Sequence, residues 1–142
     1  MNMESRYFAV FGKIRGKQRA RTFTRGGITR TITPTQTRDY EELIKRQYLA
    51  TYRKAPLLQG SLRLEIKAHF AVPKSYSKDK RSECLADNIR STTKPDADNI
   101  LKIFADALNG IAYKDDSQIV EMEIKKFYGQ EEAVAVTIAM LK

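Results

Sequence analysis

The chain has 142 residues, with 26 lysines and arginines against 17 aspartates and glutamates. A formal net charge of +9 points to polyanionic partners, nucleic acid first and an anionic membrane surface second, and says nothing about fold. No apolar run is long enough to span a membrane. The N-terminus lacks the basic-then-apolar layout of a signal peptide, and Cys84, the only cysteine, cannot form an internal disulfide, so a cytoplasmic setting is expected. His69 is the only histidine. A histidine-rich zinc site, a Ser-His-Asp triad and a histidine-based nuclease motif are therefore excluded or nearly so. Any metal must be held mostly by oxygen, which selects magnesium, manganese or calcium.

Along the chain, residues 6–11 predict a short strand. From Lys13 to Arg30 there are seven basic residues and no acidic one. Within this run Gly26-Gly27 separates two threonine-rich stretches and predicts a hairpin whose second arm runs from Ile28 to Thr33. The run reads either as a solvated basic loop or as a phosphate-contacting arm, and its lack of acids favours the arm. Thr33-Pro34-Thr35-Gln36 predicts a helix start, with Thr33 as cap, Pro34 in the first turn and Gln36 closing a capping box. Tyr40, Leu43, Ile44, Tyr48, Leu49 and Tyr52 then recur at helical spacing and read as core. Leu62 to Val72 alternates strictly and predicts a half-buried strand with His69 on its polar face. Residues 73–93 are polar and irregular, with a short helix expected over 77–86, and are expected to become ordered on binding nucleic acid. Asn99–Leu108 predicts a helix stopped by Asn109-Gly110. Residues 117–127 and 134–140 alternate and predict a C-terminal hairpin. The order of elements predicts one α+β domain over 1–142, a mixed or mostly antiparallel sheet with packed helices.

The chemistry concentrates between Lys94 and Gln118, where Asp96, Asp98, Asp106, Asp115 and Asp116 crowd into a basic protein. If residues 96–98 are extended, Asp96 and Asp98 point to one side. Asp115 or Asp116, at the start of the next strand, could return to the same place. Three converging carboxylates repel unless a cation lies among them. Magnesium binds few carboxylates, keeps waters and takes phosphate oxygens well. It would supply a nucleophilic water and stabilise phosphate charge. Lys102, one turn beyond Asp98, could neutralise the transition state. Asp98, Lys102 and Asp106 share a helix face, and Asp106 reads as a partner of Lys102. The plainer alternatives are an N-cap for Asp98 and an ordinary turn for Asp115-Asp116.

The stretches K-P-D-A-D-N-I-L-K and D-A-L-N-G-I-A-Y-K-D-D-S-Q-I-V closely resemble the signature of the RusA family of Holliday-junction resolvases, common in prophages. Gly16-Lys-Gln-Arg-Ala-Arg21, Thr33-Pro34 with Tyr40-Glu41, Pro73-Lys74 and Lys125-Lys126-Phe127-Tyr128-Gly129 extend the resemblance over nearly the whole chain. It implies a homodimeric endonuclease, dependent on magnesium or manganese, that makes paired nicks across four-way DNA. It maps the catalytic acids and metal ligands onto Asp96, Asp98 and Asp116, with Asp115 in reserve, and the essential lysine onto Lys102. Phosphate-holding residues are expected among Lys13, Arg15, Lys17, Arg19, Arg21, Arg25, Lys74, Arg90 and Lys94. The other readings are a metal-dependent nuclease acting on flaps or forks, and a non-catalytic binder of branched DNA.

Overall fold

The computed structural model describes residues 4–142. Its centre is the alternating stretch foreseen from the sequence, strand β4 (Leu62–Ala71). Leu62, Leu64, Ile66, Ala68 and Phe70 are buried, and the intervening residues are not. Around it a four-stranded sheet runs in the order β1-β6-β4-β5, with β1 at Ser5–Phe11, β5 at Ile119–Gly129 and β6 at Ala133–Met140. β6 is antiparallel to β1 and to β4, whereas β5 is parallel to β4. The sheet is mixed, and the fold is α+β.

This arrangement corrects the expected C-terminal hairpin. β5 and β6 are consecutive but do not pair, because β4 lies between them. Alternation fixes which face a strand buries, not which strand lies beside it. The chain leaves β4, makes helices α2 (Lys78–Leu85) and α3 (Ala97–Ala107), and returns as β5 parallel to β4. A parallel return needs such a crossover. The short link from β5 to β6 then crosses the end of β4 and is pinned by Glu132. Its carboxylate accepts from the backbone N–H of Ile14 at 2.7 Å and of Ala71 at 3.4 Å, and its carbonyl accepts from Gly12 at 2.9 Å.

Helix α1 (Thr35–Tyr52) buries Thr37, Tyr40, Ile44 and Tyr48, so Tyr40 and Tyr48 are core residues, as their spacing suggests. Tyr48 meets Phe8 of β1 edge-on with ring centroids 5.6 Å apart, and Tyr40 meets Phe104 of α3 at 5.8 Å. The start of α1 differs from expectation. Pro34 is the N-cap, with extended backbone, and no side chain caps the helix. Thr33 and Gln36 therefore form no capping box; the Pro34 carbonyl accepts from the Arg38 N–H at 3.1 Å. In α3, Ile100, Ile103, Phe104 and Ala107 are buried over the same core.

The polar segment 73–93 is less loose than its composition suggests. Ser77 caps α2 by accepting from the Lys80 N–H, and Cys84 is fully buried. The Arg90 guanidinium lies 4.0 Å from the Phe127 ring centroid, and its Nε donates to the Lys126 carbonyl. The basic run, by contrast, ends in a separate two-stranded ribbon of β2 (Arg21–Arg25) and β3 (Ile28–Ile32), every residue of which is exposed. Gly26 and Gly27 both take positive φ, +61° and +79°, the geometry of a two-residue hairpin turn that side chains resist.

Because β4 is paired on both edges and its Ile66 is fully buried, Ile66→Ala should cost about 2–5 kcal/mol of stability, read by denaturant unfolding. A cost well under 1 kcal/mol would show that this strand is not the centre of the core.

Candidate active site

The site is built where the basic run crosses the start of α3. Gly16 permits the crossing. A Cβ there would stand 2.8 Å from Pro95 Cβ and 2.9 Å from Asn99 Cβ, closer than side chains tolerate. The Lys17 N–H donates to the Asn99 carbonyl at 2.9 Å, and the Gln18 N–H to Thr37 Oγ1 at 3.3 Å. The run is thereby fastened to both α3 and α1. Lys13, Arg15, Lys17, Arg19 and Lys94 line one groove of about 680 Å³ together with Asp96 and Asp98.

A second cleft, of about 410 Å³, lies along the other side of α3 and is lined by Asp98, Lys102, Asp106 and Asp116, with Leu101, Ala105, Ile119 and Met122 as apolar walls. Asp98 lines both spaces. The expectation that residues 96–98 are extended does not hold. Helix α3 begins at Ala97, so Asp96 is its N-cap residue and Asp98 lies in its first turn. The boundary shifts because the N-terminal end of a helix accepts acidic residues readily. The helical path carries Asp98 onto the face of Lys102 and Asp106 and leaves Asp96 on the groove side. There Lys126 lies near it. The Lys126 Nζ donates to the carbonyls of Thr93 at 2.5 Å and Pro95 at 3.1 Å, and burial pulls its ammonium below the ordinary lysine range, partly offset by the charge of Asp96.

The two aspartates of the D-D pair point to different places. Asp115 faces a separate depression beside Gln59 and Gly60, and its carboxylate accepts from Ser117 Oγ at 2.6 Å. Asp116 faces the α3 cleft. Its N–H donates to Asn109 Oδ1 at 2.8 Å, and Asn109 Nδ2 donates to its carboxylate at 3.4 Å. Gln118 secures the loop, accepting from the N–H groups of Lys114 and Asp115 and donating to the carbonyls of Leu58 and Gly60. Below it Tyr113 is buried and donates to the Ala105 carbonyl at 2.6 Å. Burial raises the Asp116 pKa. The neighbouring Asp106 and Asp115 raise it further, against the bond from Asn109.

Asp106 does not pair with Lys102. Its carboxylate lies 3.3 Å from Lys17 Nζ, which also lies 3.3 Å from Glu41. The expectation is corrected because the crossing at the start of α3 sets Lys17 so that its side chain reaches Asp106 in the helix's last turn. Lys17 is thus tied to the protein's own acids, and Lys102 remains exposed in the cleft. Of the other expected phosphate contacts, Lys74 is exposed after β4, Arg90 is stacked on Phe127, and Arg21 and Arg25 project on the ribbon.

Gly16, Asn109, Gln118 and Lys126 carry no local signal that marks them as site residues. Gly16 lies inside a charge run, and Asn109 reads as a helix stop, so neither signals its long-range partner. Among the described residues no three acidic, histidine or cysteine side chains stand close enough to enclose a metal ion. The donors still suit a hard divalent cation in kind: all are carboxylates, and the crowding that raises the Asp116 pKa is what a cation relieves.

Three carboxylates and one free lysine thus line a cleft beside a groove rich in positive charge. The family model for Endodeoxyribonuclease RusA matches residues 12–139, and the chain belongs to that family of nucleases. It is also similar to the uncharacterized protein YqaN of Bacillus subtilis (strain 168), at 33% identity over 133 residues, covering 92% of this chain and 93% of that one.

The raised pKa of Asp116 has a consequence for stability. Below the ordinary aspartate value of 3.8 the group is protonated whether the chain is folded or not. As pH rises through that value toward the folded pKa, the native state alone retains the proton, and stability is lost. Asp116→Asn should therefore unfold at a higher temperature than wild type at neutral pH, and the difference should vanish in acid. A difference independent of pH would remove the carboxylate crowding from the account.

Proposed function

We propose that this protein is a structure-selective endonuclease that resolves four-way DNA junctions in recombination and repair, acting as a homodimer with magnesium or manganese. The observation that carries the reading is the shared wall between the two spaces. Asp98 fronts both the basic groove and the carboxylate cleft that holds Lys102 and Asp116. A phosphodiester held by the groove would lie against acids that otherwise repel it.

In this reading Lys13, Arg15, Arg19 and Lys94 bind backbone phosphates and orient the strand. Asp98 and Asp116, with Asp96 reaching in from the groove side, hold the cation. When bound, the cation would supply Lewis-acid activation of water and of the scissile phosphate. Lys102 presents its ammonium to the charge that builds on the phosphate oxygens. Asn109 fixes Asp116, and Lys126 fixes the backbone before Asp96. Two such sites related by two-fold symmetry suit a junction whose strands are cut in pairs.

A binder of branched DNA without nuclease activity is favoured by one observation, that the three proposed ligands do not form a closed cluster. One experiment separates the readings. Wild type should nick a synthetic four-way junction with magnesium. Asp98→Asn should lose on the order of 100-fold or more in rate, since even groups that only support metal ligands cost 10–100-fold, while still binding the junction. Unchanged cutting in the variant would take Asp98 out of the site. No nicks from wild type with any divalent metal would leave the binder.

A further inference from the structure

The β2–β3 ribbon carries a pattern that phosphate contact alone does not require. Its register pairs Arg21 with Ile32, Phe23 with Arg30, and Arg25 with Ile28. Cross-strand partners share a face, so one face presents three rungs, each of one arginine and one large apolar side chain. The arginine alternates between strands, and no two arginines stand directly opposite. The other face holds only Thr22, Thr24, Thr29 and Thr31, hydrogen-bonded across the ribbon at 3.4 and 2.9 Å. Phe23, Ile28 and Ile32 are 44%, 59% and 46% exposed. No described residue covers them, and an isolated two-stranded ribbon is marginal in water.

The chemistry of the face selects its occupant. A second ribbon laid against it would bring three more arginines onto these three. An apolar protein surface would leave the arginines unpaired. No acidic residue lies between Glu4 and Asp39, so the whole segment favours a polyanion. Duplex DNA offers both needs at once. Its major groove, about 12 Å wide, admits a two-stranded ribbon, presents guanine N7 and O6 to arginine, and presents thymine methyl groups to apolar side chains. Five-residue strands span roughly 17 Å, enough to follow the groove for several base pairs.

We infer that the β2–β3 ribbon lies in the major groove of a duplex arm, its arginine–apolar face toward the base edges and its threonine face outward. The ribbon holds an arm of the substrate away from the cleft and gives the protein a preference among arm sequences. The inference rests on the reading of the chain as a DNA-acting enzyme, and its test keeps the two apart.

Binding is measured by fluorescence anisotropy in EDTA, so that no cutting intervenes. One junction has natural arms; another carries 7-deazaguanine for guanine and uracil for thymine, which removes the guanine N7 acceptors and the thymine methyl groups but leaves the phosphates. Wild type should bind the modified junction about 5- to 10-fold more weakly, a loss in the range expected for one or two base contacts. Phe23→Thr/Ile28→Thr/Ile32→Thr, which keeps strand-forming residues and the three arginines, should narrow the difference by removing the thymine-methyl contacts. Arg30→Gln, a single exposed change, should narrow the difference even if the triple variant fails to fold. Equal binding of the two junctions by wild type overturns the ribbon, and normal nicking of the natural junction in magnesium leaves the nuclease reading standing. A difference undiminished in both variants also overturns it. So does ribbon-dependent flotation with phosphatidylserine vesicles while DNA binding is untouched. Wild type that neither binds nor nicks junctions overturns the nuclease reading and the ribbon together.

Discussion

The arrangement of this protein depends on one close approach, the passage of Gly16 over Pro95 and Asn99 at the start of α3. A basic segment and an acidic helix end have been brought into contact there, and only a residue without a side chain lets the backbones meet. Two consequences follow from the same crossing. The arginines and lysines around Gly16 become the wall of a groove that ends at Asp96 and Asp98. Lys17 is carried into the protein, where it is shared between Glu41 and Asp106. One cation of the run is thus used to hold the chain, while Lys13, Arg15 and Arg19 form no ion pair among the described residues.

The electrostatics of the cleft follow from this division. Lys17 neutralises part of Asp106, yet Asp106 still helps to raise the pKa of Asp116. A partly buried carboxylate beside other carboxylates is unfavourable alone and favourable once a cation or an ammonium joins it. Such a site trades native stability for readiness to bind, a common feature of functional sites. Lys102, exposed and free of ion pairs among the described residues, has its charge available for a substrate. In the nuclease reading, the acids that should repel DNA are thereby placed at the end of a surface that attracts it.

Much of this was legible in the sequence, for identifiable reasons. Strict alternation from Leu62 to Val72 marked the central strand, because one buried face imposes a period of two. Gly26-Gly27 marked the ribbon turn, and the stretch 77–86 marked the short helix α2. The cluster of aspartates and the basic run were visible as composition. Their relation was not. The shared face of Asp98, Lys102 and Asp106 followed from their spacing, but whether Asp96 lies beside Asp98 or on the groove side depends on one or two residues at a helix boundary. The partner of Asp106 depends on a crossing between residues distant in sequence, Gly16 against Pro95 and Asn99, which local spacing cannot report. The pairing of β5 with β4 rather than β6 was hidden for the same reason, since alternation carries no record of the neighbour. Asn109 and Gln118, which secure the D-D loop, look like an ordinary helix stop and an ordinary polar strand residue.

The central claim is that Asp98 and Asp116 bound a cation site in the cleft along α3. Anomalous diffraction from crystals soaked in manganese tests it most directly. The account predicts a peak within about 2.4 Å of carboxylate oxygens of both residues, with Lys102 beside it and none at Asp115. A peak confined to Asp115, or to the glutamates Glu65 and Glu123 on the open face of the sheet, would contradict it. So would an empty cleft at a manganese concentration that supports cutting of DNA.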